Sequence, residues 1–350
     1  MSQAAVAKRH YPYVTRILLS LLEEGRLRNV ERVEVEPEYG YVTRIYYNNG
    51  SVRVTRGSDV GLNPGAACEI AKDKAYTKFF LRKAGFACPE GRAFLLPWWA
   101  EKIIPGLGLR GFDAPLMVDQ AADYAASLGF PVYVKPVDGA RGQGVWRCDD
   151  LAEMERVIAD YAEQWIRVAL IEEYVDMPDH RLVVMRGGII SAYSRLPLTV
   201  TGDGVSTTAE LLRRLQQRYT EADRDTLIDV DDARIAARLR REGRTLESVP
   251  RAGEPVVLLD ISNLSAGGTA HDVTAKVHPF WSALAADVAK SFGLAFCGID
   301  LACHDLAEPG GRYSIIEVNA TAGLDNYGSV GRAQRKIVRD LYALVLNEPT

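Results

Sequence analysis

The chain has 350 residues, 47% hydrophobic and 25% charged, with 42 Lys plus Arg against 46 Asp plus Glu and a net charge of −4. This is globular composition with ample apolar mass for a core, and its charge is too balanced for a chain that lives on a nucleic-acid backbone. No apolar run approaches the ~20 residues of a membrane span, no apolar h-region opens the chain, and five scattered cysteines without a CxxC pair indicate neither a disulfide framework nor a zinc ribbon, so a reduced, cytoplasmic protein is expected. Residues 1–66 read as a small α/β segment. A helix over 13–24 carries Val14, Ile17, Leu18, Leu21 and Leu22 at helical spacing. Strands follow at 30–35, 41–47 and 52–54, the last two joined by the turn Asn48-Asn49-Gly50.

One helix is expected over 67–84, stopped by Gly85, then a Gly- and Trp-rich loop over 97–112. A helix over 118–128 precedes a strand at 130–134. Residues 151–163 form a helix capped by Asp149 or Asp150, and 168–172 a strand. Residues 181–185 and 189–194 pair about Gly187-Gly188. Thr207 and Glu210 fit a capping box that opens a helix through Gln216. The charged stretch 221–244 reads as solvated helix and loop, 256–259 as a strand, and 279–292 as an amphipathic helix ended by Gly293.

Walker A, HExxH and GxSxG signatures are absent, and the five histidines never pair at metal-ligand spacing. The chemistry concentrates elsewhere. Residues 296–301 and 313–319 read as strands joined by the turn Glu308-Pro309-Gly310-Gly311. Folding about the Glu308/Pro309 boundary sets Asp300 opposite Glu317, with Asn319 on the same face of its strand. Such hard oxygen donors suit Mg²⁺ held together with substrate phosphates, and spacing alone leaves this reading level with a wet polar face. Lys135, at a strand end, precedes a glycine-rich loop with Gly139, Gly142 and Gly144, which can hold phosphate by charge and backbone N–H groups. Alone, that loop reads as ordinary surface, and Glu172-Glu173-Tyr174-Val175 as an acidic strand end.

In this order, over residues 67–345, the pieces resemble the ATP-grasp superfamily of carboxylate–amine ligases. The detail is closest to the ligase portion of cyanophycin synthetases and of fused bacterial glutathione synthetases. The segments that carry the branch resemblance are Gly202-Asp203-Gly204 and Asn263-Leu264-Ser265-Ala266-Gly267-Gly268. The resemblance implies an α/β ATP-grasp fold, with an N-terminal segment 1–66, one lobe over 67–175 and a second over 176–350. It implies that Lys74 and Lys135 contact ATP phosphates, that Gly139, Gly142 and Gly144 cover them, and that Glu172 accepts from the adenine amino group. Glu173, Tyr174 and Val175 would form the inter-lobe hinge, and Asp179 would accept from the ribose. Asp300, Glu317 and Asn319 would hold two Mg²⁺ ions, with Mn²⁺ as a substitute. Arg195, Arg181 and Asn263 would surround an acyl phosphate. The implied reaction joins a small-molecule or peptide carboxylate to an amine and releases ADP and phosphate. A ligase that adds an amino acid to a protein or peptide terminus, and a catalytically silent ATP-binding module, are the alternatives. No nucleic-acid or membrane partner is expected, and a homodimer is compatible with the pattern. The loop Ala320-Thr321-Ala322-Gly323 departs from relatives, which have Pro before that glycine.

Overall fold

The computed structural model describes residues 11–107, 117–139, 142–222, 224, 226–329 and 331–349. The expectation for 108–112 and the loop residues Ala140 and Arg141 lie outside them. In chain order the elements are α1 (Tyr13–Glu23), β1 (Val30–Val35), β2 (Val42–Tyr47), β3 (Val52–Arg56), α2 (Gly65–Lys72), α3 (Lys74–Lys83), β4 (Gly91–Leu95) and α4 (Pro97–Leu107). Next come α5 (Ala121–Leu128), β5 (Val132–Pro136), β6 (Trp146–Cys148), α6 (Leu151–Glu163), β7 (Val168–Glu173), β8 (Asp179–Met185), β9 (Gly188–Leu196) and β10 (Thr199–Thr201). The rest are α7 (Thr208–Glu221), α8 (Ala233–Arg241), β11 (Pro255–Val257), β12 (Thr269–Asp272), α9 (Pro279–Ser291), β13 (Phe296–Cys303), β14 (Tyr313–Asn319), α10 (Asp325–Ser329) and α11 (Arg332–Asn347).

The strands form four sheets, ordered β1-β2-β3, β4-β7-β5-β6, β12-β9-β8-β13-β14 and β10-β11. The five-stranded sheet organises the molecule. One face, with Leu182, Val184, Ile299 and Leu301, packs on α9 and on Cys68, Ala71 and Leu81 of α2 and α3. On the other face, Val183, Met185 and Phe296 share a core with α1, β2 and α11. The N-terminal segment is therefore fastened to the sheet and to the last helix. The four-stranded sheet buries Val134, Ala169 and Ile171 against α5 and α6. Alternation along its strands turns Lys135, Leu170 and Glu172 to the opposite face. Residues 198–261 enclose a further small core, with Leu198, Leu212, Ile235 and Leu258, which the sequence reading did not separate.

Four local expectations need correction. The helix expected over 67–84 is two helices, broken where Asp73 turns extended and its carboxylate accepts from the N–H groups of Ala75 and Tyr76. The break is an N-cap, and it sets Lys74 at the head of α3. Most of the loop expected over 97–112 is α4, because Pro97 opens a helix readily and Trp98 Nε1 donates to Ile166 O at 2.9 Å. Strand β5 runs to Pro136, so Lys135 sits inside it rather than at its end. Helix α8 buries Ile235, Ala237 and Leu239, so 221–244 is not simply a solvated stretch. The capping box is as expected, with Glu210 N–H donating to Thr207 Oγ1 at 3.3 Å and Thr207 N–H to Glu210 Oε2 at 2.9 Å. Asp150 rather than Asp149 caps α6. No helix among the described residues is long and apolar enough to cross a membrane.

Candidate active site

Register sets the site. Asp300 of β13 lies between Arg181 of β8 and Glu317 of β14, directly opposite both. The expected fold-over about the Glu308/Pro309 boundary therefore holds at this pair. A register shift just beyond it realigns Leu301 with Ile315. One step along the same face, Gly298 stands opposite Asn319, and in the other direction Asp179 stands opposite Arg195 of β9. The face that is apolar at Val183 and Met185 thus becomes charged at Arg181 and Asp179.

The charges are shared, with Asp300 and Arg195 buried and Asp179 and Arg181 half-buried. Asp300 Oδ2 receives Arg181 Nη2 at 3.1 Å and Arg195 Nη2 at 3.0 Å, and Arg181 Nε contacts the other oxygen. Arg195 Nη2 also meets both oxygens of Asp179, at 2.7 and 2.8 Å. Two carboxylates and two guanidiniums balance, as buried charge requires. Burial would raise Asp300, and the two arginines overcome it and hold the carboxyl below its ordinary value. Asp179 goes the other way, pushed up to about 6 by burial, with Arg195 opposing and the Asp300 charge adding to the rise. Two acids that share Arg195 cannot both be fully served by it.

The facing wall carries lysines. Lys135 is ion-paired to Glu172 Oε1, and Lys78 Nζ stands 2.7 Å from Oε2. Glu172 is 2% exposed, and Lys78 and Lys135 are 2% and 5% exposed. Burial would raise Glu172, and the Lys135 and Lys78 ammoniums hold it below the usual carboxylate range. Lys74 Nζ donates to Gly139 O at 2.5 Å and lies 3.7 Å from Glu317 Oε1, so it bridges the glycine loop and the five-stranded sheet. Gly142 has φ +72°, and a Cβ there would stand 2.5 Å from Ile261 Cδ1 and 3.3 Å from Asn263 Nδ2. Only glycine lets this loop approach Asn263 so closely. Gly144, at φ +67°, is tied through its carbonyl to the Tyr161 hydroxyl.

The structure thus gathers Lys74, Gly139 and Glu317, and separately Arg181, Arg195, Asp179 and Asp300. Asp179, expected at a ribose, is bound to the arginine expected at the acyl phosphate. Glu173 Oε1 accepts from Glu90 N–H at 3.1 Å, Tyr174 packs its ring on Tyr133 at 5.6 Å, and Val175 is half-buried in the connection to β8. Asn263 Oδ1 caps the turn 264–266 by accepting from Ser265 N–H. Lys78 escaped the sequence reading. Its signal was a lysine one turn beyond Lys74, on a helix face that otherwise buries Thr77 and Leu81. Gly298 was missed as well, because only the fold brings Arg181 over it.

Two carboxylates and one carboxamide on adjacent strands are a hard-oxygen donor set of the kind that Mg²⁺ takes. Asn319 Nδ2 is buried with no hydrogen-bond partner among the described residues, so that carboxamide is not committed elsewhere through its nitrogen. Among the described residues no three His, Cys, Asp or Glu side chains form a closed cage. An ion here would take most of its ligands from phosphates and water, and it would share Asp300 with the Arg181 and Arg195 guanidiniums.

No protein-family model matches the chain. Similar curated proteins are a cyanophycin synthetase of Nostoc sp., 30% identical over 312 residues, which cover 87% of this chain and 32% of that protein. A cyanophycin synthetase of Synechocystis sp. is 33% identical over 265 residues, 73% of this chain and 28% of that protein. A glutathione biosynthesis bifunctional protein of Mannheimia succiniciproducens is 27% identical over 299 residues, 82% and 37% of the two chains. The chain spans about a third of the length of these relatives. The crystal structure of a bifunctional glutathione synthetase from Pasteurella multocida superposes with a TM-score of 0.55 at 20% identity, over 94% of this chain and 44% of that one. The fold is accordingly that of the ATP-grasp ligases.

Proposed function

We propose that this chain, related in sequence and fold to the ATP-grasp carboxylate–amine ligases, joins a carboxylate to an amine with release of ADP and phosphate. The carboxylate and amine belong to amino acids or small peptides. The observation that carries the reading is the meeting of two differently built walls. Lys74 and Lys135 stand beside the glycine loop, and Asp300, Glu317 and Asn319 share one face of the five-stranded sheet with Arg181 and Arg195.

Lys74, already bonded to a glycine-loop carbonyl, places a positive charge where that loop covers a triphosphate. Lys135 adds a second. Asp300, Glu317 and Asn319 are the residues that would hold Mg²⁺, which when bound would offset phosphate charge during phosphoryl transfer. Arg195 and Arg181 present planar, fixed guanidiniums that can orient the substrate carboxylate and follow the charge onto it as it gains the phosphoryl group. A carboxylate oxygen attacks the γ-phosphorus, and ADP leaves. The amine nitrogen then attacks the acyl carbon, phosphate departs, and the amine gives up a proton. The glycine loop, packed on Ile261 and Asn263, keeps water from the acyl phosphate. No protein nucleophile is required.

The test is chromatography of the nucleotide product after turnover with amino-acid and dipeptide mixtures. ADP with stoichiometric phosphate is expected. Stoichiometric AMP and pyrophosphate would replace acyl phosphate chemistry by adenylation and overturn the reading.

A further inference from the structure

We infer that Lys78 is a positioning residue, the standing counter-ion of Glu172 that leaves Lys135 available to nucleotide phosphates. The inference rests on the proposed phosphate role of Lys135. Three buried charges meet here, two ammoniums on one carboxylate. Their anchoring is unequal. Lys78 grows from α3, and its Nζ also donates to Pro89 O at 3.0 Å, so it is held from two sides. Lys135 grows from β5 and has Glu172 as its one ion-pair partner among the described residues. Gly91 stands opposite Glu172 on β4, and a Cβ there would come within 2.7 Å of Glu172 Cβ, so glycine leaves the room that Glu172 occupies.

If Lys135 turns to a phosphate, Glu172 loses one of its two cations. Without Lys78 it would then be an unpaired buried carboxylate, which is heavily penalised. The penalty would act as a force that keeps Lys135 on Glu172 and off the nucleotide. With Lys78 in place the carboxylate stays paired in both states, and Lys135 moves at little cost. Lys78 also links the parts that must close on the nucleotide. Helix α3 packs on the core under the five-stranded sheet through Leu81, whereas Glu172 lies in the four-stranded sheet. The ion pair spans the two, beside a cavity of about 400 Å³ lined by Lys78, Phe79, Gly91 and Leu170.

The experiment measures calorimetric affinity for ATP with Mg²⁺, and thermal melting, in the wild type, Lys78→Met, Glu172→Gln and the double variant. Lys78→Met is expected to weaken ATP binding by about tenfold or more, a loss of about 1.4 kcal/mol. In the Glu172→Gln background the same change should alter affinity by no more than about twofold, because no charge is left to hold Lys135. A role in packing alone predicts equal losses in both backgrounds, and that result overturns the inference. So does Lys78→Met with wild-type affinity. If Lys78→Met does not fold, the comparison of Glu172→Gln with the double variant decides, since neither carries the unpaired carboxylate. Equal affinities there support the inference, and a tenfold gap overturns it. A wild-type chain that binds no Mg²⁺–ATP defeats the ligase reading itself and this inference with it. Binding in the wild type with no effect of Lys78 defeats the inference alone.

Discussion

The guanidinium of Arg181 lies over the bare backbone of Gly298, where a Cβ would stand 2.7 Å from Nη1 and 3.1 Å from Cδ. The missing side chain is the space through which Arg181 reaches Asp300. Gly298→Ala should push the guanidinium aside while the strand remains paired. We expect turnover to fall by at least about tenfold, with a stability loss toward the low end of the ~1–3 kcal/mol typical of overpacking. Steady-state ADP release alongside thermal melting checks this. Wild-type turnover in a folded variant would mean that Arg181 is not held where the reaction needs it.

Glu317→Gln keeps the shape of the side chain and removes its charge. Glu317 is the more open of the two carboxylates on this pair of strands, and its near cation is Lys74 at 3.7 Å. Turnover should fall by several orders of magnitude with melting little changed. A variant within about tenfold of wild type, about 1.4 kcal/mol, would remove Glu317 from the metal set.

Arg195 serves two acids at once, Asp179 and Asp300. Removing it leaves buried Asp300 and half-buried Asp179 with Arg181 as the remaining cation, so Arg195→Ala should lose stability toward the low end of about 3–5 kcal/mol as well as activity. Arg195→Lys restores a charge but not the fork, and should recover stability more than turnover. The measurements are denaturant unfolding, ADP release and ATP affinity for both variants. Full turnover in the Lys variant would reject a bidentate role, and equal loss of ATP affinity and turnover would move Arg195 to the nucleotide.

His180 supplies a pH dependence separate from catalysis. Its Nε2 lies 3.1 Å from Cys303 O, which can only accept, so Nε2 carries the proton and Nδ1 accepts from the Ser194 hydroxyl at 3.0 Å. The buried ring is thus paired in its neutral form, and burial holds its pKa below the ordinary value, with the Cys303 carbonyl partly opposing. The unfolded chain therefore binds a proton that the folded chain does not, in the window just below about 6.5. Stability from this group is full above that pH and is lost as pH falls through the folded value. His180→Asn should make the slope of unfolding free energy against pH less positive just below about pH 6.5, where Asp179, raised to about 6, contributes the opposite slope in both proteins. An unchanged slope would show that the ring charges without cost.

The juxtapositions that could be read from sequence are local or symmetric about a turn. Asp300 faces Glu317 because the hairpin 296–319 folds about its own middle, and the capping box at Thr207 lies within a single turn of helix. What escaped depends on partners far away in the chain. Arg234 of α8 donates to Gly142 O at 2.5 Å, 92 positions distant, and Arg241 bonds Asp149 and Asp260. Such arginines look like a solvated helix face until the fold supplies their acceptors. Likewise Trp98 helped turn 97–107 into helix because a core was waiting for it beside Ile166. The break at Asp73 went unread, although an Asp there is the residue type that caps a helix.

The core of the first sixty residues is closed by the last helix. Tyr47 donates to Leu346 O, Arg53 to Val345 O, and Arg26 pairs with Asp340 across 314 positions. During synthesis, α1 and β1 to β3 therefore emerge long before their partner exists. Ile17, Leu21 and Ile45 share a core with Val183, Met185 and Phe296 of the sheet, and that core is complete only when Leu341, Tyr342 and Val345 have been made. Contacts of such sequence separation form late and slowly. A ribosome stalled before residue 332 would hold an N-terminal segment covered on one side by the five-stranded sheet and still open where the last helix belongs.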